Sequence, residues 1–169
     1  MSEINNYMME EKERLNILHS LFKSFTGKNI DMTLFNDRLR FQKIIYIMIS
    51  VGIKLQYQFG WHLRGPYSSS LASDGFKLSN QEDQFIDIRF RIPQDYQKKI
   101  EDVRELLSND ISNTDKLELY SSILYITTTY GKISDEDIIE HVKNRKPWFD
   151  EQTIKNGLNK LRNSGLFLN

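Results

Sequence analysis

The chain has 169 residues, of which 39% are hydrophobic and 12% aromatic, so it is long enough to bury the core of one domain. Its 23 Lys and Arg residues are matched by 23 Asp and Glu residues, which excludes a global electrostatic attraction to nucleic acid or to an anionic membrane. The absence of cysteine excludes disulfides and thiolate chemistry. The longest apolar run, Ile44 to Ile53, is shorter than the roughly 20 residues of a membrane span. Because Glu10, Glu11 and Glu13 precede the first apolar periodicity, no signal peptide is predicted, and we expect a soluble cytoplasmic protein.

The first half of the chain is predicted to contain helices and a small sheet. After a frayed segment at Met1 to Asn6, apolar residues recur at helical spacing from Tyr7 to Phe25. A second helix, Leu34 to Val51, is apolar on nearly every face in its C-terminal half, so we expect it to be the buried central helix. Alternation from Ile53 to Leu63 predicts a half-buried strand, and a similar pattern at Ile86 to Ile92 predicts a second strand that pairs with it.

The motif Arg64 to Ser68, with the sequence RGPYS, is predicted to break the first strand. Ser68, Ser69 and Ser70 are typical N-cap residues, and they predict a short helix from Leu71 to about Leu78. Pro93 is expected to close the second strand.

The second half is predicted to be helical. Ile100, Val103, Leu106 and Leu107 indicate one helix, and a longer helix is expected to begin at a cap formed by Thr114 or Asp115 and to end at Gly131. Ser134 is the predicted cap of the next helix, which Pro147 ends, and Asp150 is the predicted cap of a last helix that stops before Gly165. This succession of helices and turns is typical of a helix-turn-helix domain, with a wing of at most one strand.

The predicted fold is mainly α with a small antiparallel β element, an α+β class, and its C-terminal half is helix-turn-helix or winged-helix-like. We expect a single domain over residues 1–169. Within it, residues 7–110 would form the N-terminal helices and the small sheet with the RGPYS loop. Residues 114–169 would form the helix-turn-helix-like subdomain.

The RGPYS motif is the first candidate binding site. Glycine lets a backbone approach a ligand, a helix start offers free N–H groups, and arginine adds charge, whereas a rigid turn would explain Gly and Pro alone. Arg38, Arg40 and Lys43 could extend this site into a basic stripe that grips phosphate or an acidic partner, or they could simply be a solvated first turn. The predicted partner-binding residues are Arg64, Gly65, Pro66, Tyr67, Ser68 and Trp61.

The last helix, residues 150–163, is the second candidate. Its apolar face would use Ile154, Leu158 and Leu161, which leaves amide and basic side chains outside, as in a helix that reads DNA bases and binds phosphates. Residues 139–169 carry six Lys and Arg residues against three Asp and Glu residues. The candidate DNA-binding residues are Gln152, Lys155, Asn156, Asn159, Lys160 and Arg162.

No pattern in the chain predicts a catalytic centre, a metal site or a cofactor. His19, His62 and His141 lie in separate predicted elements without ligand spacing to a recurring carboxylate. The serines at 68–70 lack the Gly-x-Ser-x-Gly elbow of hydrolases. We therefore expect a non-enzymatic binding protein that engages another protein through its Tyr57 to Tyr67 surface, with a DNA-binding regulator as the alternative.

Several segments together resemble a known group of proteins. RLRFQKIIYIM at 38–48, the aromatic strand and RGPYSSSLASD at 64–74 resemble the Panacea domain of SocA-like antitoxins, and resemble still more the YwgA-like prokaryotic proteins. KLELYSSILYI at 116–126 and KNRKPWFDEQTIKNGLNKLRNSGLF at 143–167 are similar to that group too, so the resemblance spans roughly residues 14–167. It implies a mainly helical intracellular fold and a link to toxin–antitoxin, defence or mobile-element loci. The partner would then be a toxin or effector, and a homodimer stays open.

Overall fold

The computed structural model describes residues 2–85 and 90–168. Over these ranges it contains seven helices and one two-stranded antiparallel sheet, which confirms the predicted fold class. No helix in them is long and apolar enough to span a membrane. The elements in chain order are α1 (Ser2–Thr26), α2 (Phe35–Ser50), β1 (Gly60–His62), β2 (Gly65–Tyr67), α3 (Ser69–Phe85), α4 (Gln94–Leu107), α5 (Thr114–Tyr130), α6 (Asp135–Arg145) and α7 (Glu151–Asn163).

Helix α2 is the central helix, as its apolar composition predicted. All eight residues from Phe41 to Met48 are buried, and α2 contacts α1, α3, α4, α5 and β2. Two polar side chains, Gln42 and Lys43, belong to this buried run and bond to backbone carbonyls of the β2 region. The middle of α2 therefore combines apolar packing with polar groups that are satisfied internally.

Helix α1 packs on this centre through Leu15, Leu18 and Phe22, and it contacts α2 and α3. It begins at Ser2 rather than Tyr7, so the expectation of a frayed N-terminal segment is wrong for residues 2–6. The sequence before Tyr7 contains neither glycine nor proline, and without a helix breaker the helical conformation can extend toward the N-terminus.

The predicted strand at Ile53 to Leu63 is mostly wrong. Only Gly60–His62 pairs in a sheet, and its partner is Gly65–Tyr67, the segment that was expected to break the strand. Leu63 and Arg64 form the two-residue loop of the hairpin. The alternation in residues 53–59 correctly predicted burial, since Ile53 and Leu55 are buried between exposed neighbours, but this stretch has no neighbouring strand among the described residues.

The predicted second strand at Ile86 to Ile92 lies partly outside the described residues, because 86–89 are not described. Residues 90–92 form no strand. Ser68 does cap α3, since its hydroxyl oxygen accepts a hydrogen bond from the Leu71 N–H at 3.3 Å. The helix runs to Phe85, beyond the predicted end near Leu78.

Helices α5, α6 and α7 each contact the other two. Ser134 and Asp150 cap α6 and α7, as predicted. Gly157 allows α7 to approach α5 closely, because a Cβ atom there would lie 2.9 Å from Leu119 Cδ2. Gly131, with a φ of 71°, follows the last residue of α5, as predicted.

The predicted cap of α5 requires a correction. Asn113, not Thr114 or Asp115, accepts a hydrogen bond from the Lys116 N–H at 3.1 Å. We expect Asn113→Ala to lower the free energy of unfolding by about 1 kcal/mol, because an N-cap side chain satisfies an otherwise free N–H group. Thr114→Ala is the matched control and should have little effect. Urea denaturation of both variants checks this, and equal losses would contradict the assignment.

Candidate partner-binding site

Four charged residues from four parts of the chain meet behind the hairpin: Lys43 of α2, Arg64 of the hairpin loop, Glu118 of α5 and Lys146 after α6. We call them the buried ion cluster. Glu118 and Lys146 are completely buried, with 3.1 Å between Lys146 Nζ and Glu118 Oε1. Arg64 Nε lies 2.7 Å from Glu118 Oε2. These contacts are ion pairs in a site that excludes water, where the attraction between opposite charges is stronger than at the surface.

The cluster contains three basic side chains and only one buried carboxylate. Arg64 also lies 3.2 Å from Asp115, but that carboxylate is largely exposed to solvent and therefore compensates weakly. Burial, followed by the nearby charge of Lys146, lowers the pKa of Lys43 from 10.5 to about 7. Burial also lowers the pKa of Lys146, against the attraction of Glu118. Burial thus favours the neutral form of both lysines, which reduces the excess of positive charge around Glu118.

The same side chains fix the backbone of the hairpin. Lys43 Nζ donates to the Pro66 carbonyl at 2.6 Å, and Lys146 Nζ donates to the Leu63 carbonyl. The Gln42 side-chain amide donates to the Ser68 carbonyl at 2.8 Å and accepts from the Ser68 N–H at 2.9 Å. Three side chains from α2 and the α6–α7 loop therefore hold the hairpin loop, β2 and the start of α3 in place.

Gly65 has a φ of 93°, a left-handed conformation that a residue with a side chain rarely adopts. A Cβ atom at this position would also lie 2.8 Å from Ser122 Oγ of α5. The glycine of RGPYS is therefore required by the turn and by the close contact with α5. Arg64 is accounted for in the same way by its pairing with Glu118.

A cavity of about 310 Å³ lies between the N-terminal half of α2, the hairpin loop and α3. We call it and its rim the groove. Three large apolar side chains at the rim are exposed: Phe35 by 55%, Leu63 by 76% and Phe76 by 45%. The residues that line the cavity are Met32, Phe35, Arg38, Leu39, Gln42, Lys43, His62, Leu63, Arg64, Gly65, Tyr67, Ala72 and Phe76.

The structure divides the predicted partner-binding residues into two groups. Arg64, Gly65 and Tyr67 line the groove, whereas Pro66 and Ser68 are buried behind it. Trp61 does not line it. Its ring packs on Tyr125, with centroids 5.6 Å apart, and Lys146 Nζ lies 4.9 Å from its centroid.

The candidate DNA-binding residues of α7 lie on its exposed face, but their basic groups are paired within the chain. Lys155 lies 2.7 Å from Glu151, Lys160 lies 2.6 Å from Asp110, and Arg162 pairs with Asp135. Gln152 donates to Asn156 at 2.9 Å, while Asn159 is exposed.

Lys160 also belongs to a structural network around Asp110, where Tyr120 OH and Lys116 Nζ donate to the same carboxylate. Burial would raise the pKa of Asp110, but these hydrogen bonds outweigh burial and lower it to about 2. Lys160 therefore anchors α7 to the loop before α5, and its charge is not free for a ligand.

Phe35, Leu63 and Phe76 were not predicted as site residues, and Glu118 was not predicted as the centre of the ion cluster. The only signal for Glu118 was its position among Leu117, Leu119 and Tyr120 in a helix that is buried on several sides. The basic stripe proposed for Arg38, Arg40 and Lys43 is divided by the structure. Arg40 pairs with Asp37 at 3.3 Å, whereas Arg38 and Lys43 line the groove.

Comparisons of the chain with protein-family models, with curated proteins and with solved structures found no match. His19, His62 and His141 lie apart, in α1, β1 and α6.

Removing the carboxylate of Glu118 should destabilise the fold strongly. We expect Glu118→Gln to lower the free energy of unfolding by about 3 kcal/mol, because Lys146 and Arg64 would be left without their buried partner. Glu151→Gln is the control, because it removes solvent-exposed pairs with Lys155 and Lys143 and should change stability very little. Chemical denaturation checks both variants, and similar small losses would show that the cluster contributes little.

The lowered pKa of Lys43 predicts a pH dependence of stability. Between pH 7 and about 10 the unfolded chain keeps the Lys43 proton that the folded protein releases, so the contribution of Lys43 to the free energy of unfolding rises with pH. Lys43→Met keeps an apolar stem and removes the charge. Wild type should therefore gain stability relative to this variant when the pH increases from 6.5 to 9. Urea denaturation gives the free energies of unfolding of both proteins. If their difference does not change with pH, the lowered pKa of Lys43 is contradicted.

Proposed function

We propose that the protein is a non-enzymatic protein-binding module that receives an apolar segment of a partner protein in the groove. The observation that carries this proposal is the convergence of Phe35, Leu63 and Phe76 on one cavity. Exposed apolar side chains that stand singly are common on protein surfaces, but a contiguous group around a cavity is typical of an interaction site.

The rigidity of the hairpin supports the same proposal. Leu63 protrudes from the two-residue loop of the hairpin. Its backbone carbonyl accepts a hydrogen bond from Lys146, and the other loop residue, Arg64, is paired with Glu118. A side chain presented by a fixed backbone loses little conformational entropy when it binds, so more of the contact energy remains as affinity. The cavity volume of about 310 Å³ lies at the lower end of the range for ligand pockets and leaves room for one or two inserted side chains.

The class of partner is proposed from the resemblance to Panacea-domain and YwgA-like proteins. On that basis the partner is a toxin or another effector of a defence or mobile-element locus in a prokaryotic cytoplasm. DNA binding by α7 receives less support, because Lys155, Lys160 and Arg162 are each paired with a carboxylate of this chain, and the partner of Lys160 is buried.

Affinity capture from the native host, with quantitative mass spectrometry, tests the proposal. We expect Leu63→Asp combined with Phe76→Asp to weaken capture of the partner by at least about 30-fold, because charges would replace two buried anchors. Tyr130→Asp changes an exposed aromatic residue on α5 that does not line the groove, and it should retain the partner.

A partner that is retained equally by the groove variant would overturn the proposal. Loss of the partner in a Lys155→Glu and Asn159→Asp variant, with the groove intact, would instead favour a site on α7. Lys160 is left unchanged in this variant because its pairing with Asp110 would confound binding with stability.

A further inference from the structure

The groove is apolar, but all of its formal charge is positive. Its lining includes Arg38, Lys43 and Arg64 and contains no aspartate or glutamate. The whole chain, by contrast, has as many acidic as basic residues. A cavity that combines large apolar side chains with basic groups alone is complementary to an apolar group that carries a negative charge.

The three basic side chains differ in how far they are compensated. Arg64 is paired with Glu118 and Asp115. Lys43 donates to the Pro66 carbonyl and is almost completely buried, so it is not available to contact a ligand. Arg38 pairs with no carboxylate among the described residues, although Asp37 is its neighbour in sequence.

Arg38 is also the basic group best placed to contact a ligand. It is half-exposed, and its guanidinium carbon lies 5.7 Å from the centroid of the Phe35 ring at the rim. One of its terminal nitrogens donates to the Met32 carbonyl at 2.9 Å and to the Thr33 carbonyl at 3.2 Å, which fixes the orientation of the guanidinium group. Its Nε and its other terminal nitrogen make no hydrogen bond within the described part of the chain, so donors remain for a carboxylate.

We propose that the partner segment carries a carboxylate side chain beside its apolar anchor, and that Arg38 binds this carboxylate while the anchor fills the groove. This inference rests on the proposed function and adds the chemistry of the partner to it. An acidic peptide segment suits the site better than nucleic acid does, because the neighbouring basic residues Lys28 and Arg40 are both paired with Asp37 and offer no continuous path for a phosphate backbone.

Selection from a phage-displayed library of random 12-residue peptides tests the inference without knowledge of the partner. Peptides that bind the wild-type protein are counter-selected against the Leu63→Asp and Phe76→Asp variant, so that only groove-dependent peptides remain. We expect these peptides to share an aspartate or glutamate within a few residues of a large apolar residue. When the Arg38→Glu variant is the bait, we expect the selected peptides to carry lysine or arginine in place of the acidic residue.

The affinities of individual selected peptides provide a second measurement. Arg38→Gln should weaken a groove-dependent peptide about tenfold, because a charge-assisted hydrogen bond is lost from a partly buried site. The same peptide synthesised with glutamine in place of its acidic residue should lose a similar factor and show no further loss with Arg38→Gln. Arg104→Gln, on the exposed surface of α4, should have no effect on either peptide.

The possible outcomes separate the inference from the proposed function. Groove-dependent peptides without an acidic preference would overturn the inference and leave the proposed function intact. A library that yields no groove-dependent peptide would overturn both. Binding of random duplex DNA that is lost with Arg38→Gln would also overturn the inference, because it would assign Arg38 to phosphate.

Discussion

The burial of one carboxylate, Glu118, is the constraint on which the rest of the structure depends. An ionised group without contact to water must be paired inside the protein, and here its partners come from the hairpin loop and from the residue after α6. These three positions are far apart in sequence, so the ion cluster fixes the hairpin against the C-terminal helices. The position of the loop is therefore specified more strictly than apolar packing alone would require.

This constraint connects stability with the proposed binding function. The residues that hold the hairpin, Lys146 and Lys43, bond to the backbone carbonyls of Leu63 in the loop and of Pro66 in β2, while the Leu63 side chain projects outward. The exposed rim of the groove, Phe35, Leu63 and Phe76, is thus supported by side chains that are buried in the fold. A loop held in this way can keep a large apolar residue exposed without collapsing onto the core.

Helix positions, the central role of α2 and the caps Ser68, Ser134 and Asp150 could be predicted from the sequence, because each depends on local spacing or on a single neighbouring turn. The strand at 53–63 could not, because alternation records which side chains are buried and not which backbone groups are paired. The groove could not be predicted from the sequence for a related reason. Phe35, Leu63 and Phe76 come from three elements, and each is unremarkable within its own element.

A turn alone does not require the arginine and the tyrosine of RGPYS. In the structure, Arg64 is paired with Glu118, which lies 54 positions later in the chain. For the same reason, the numbers of basic and acidic residues in a sequence window did not predict which charges are paired. Residues 139–169 carry an excess of three basic groups, yet two of them are neutralised by Asp110 and Asp135, which lie outside that window. Arg38 shows the reverse, since it follows Asp37 directly but is not paired with it. A charge is available to a partner only where the fold leaves it uncompensated, and in this chain that condition favours the groove over the last helix.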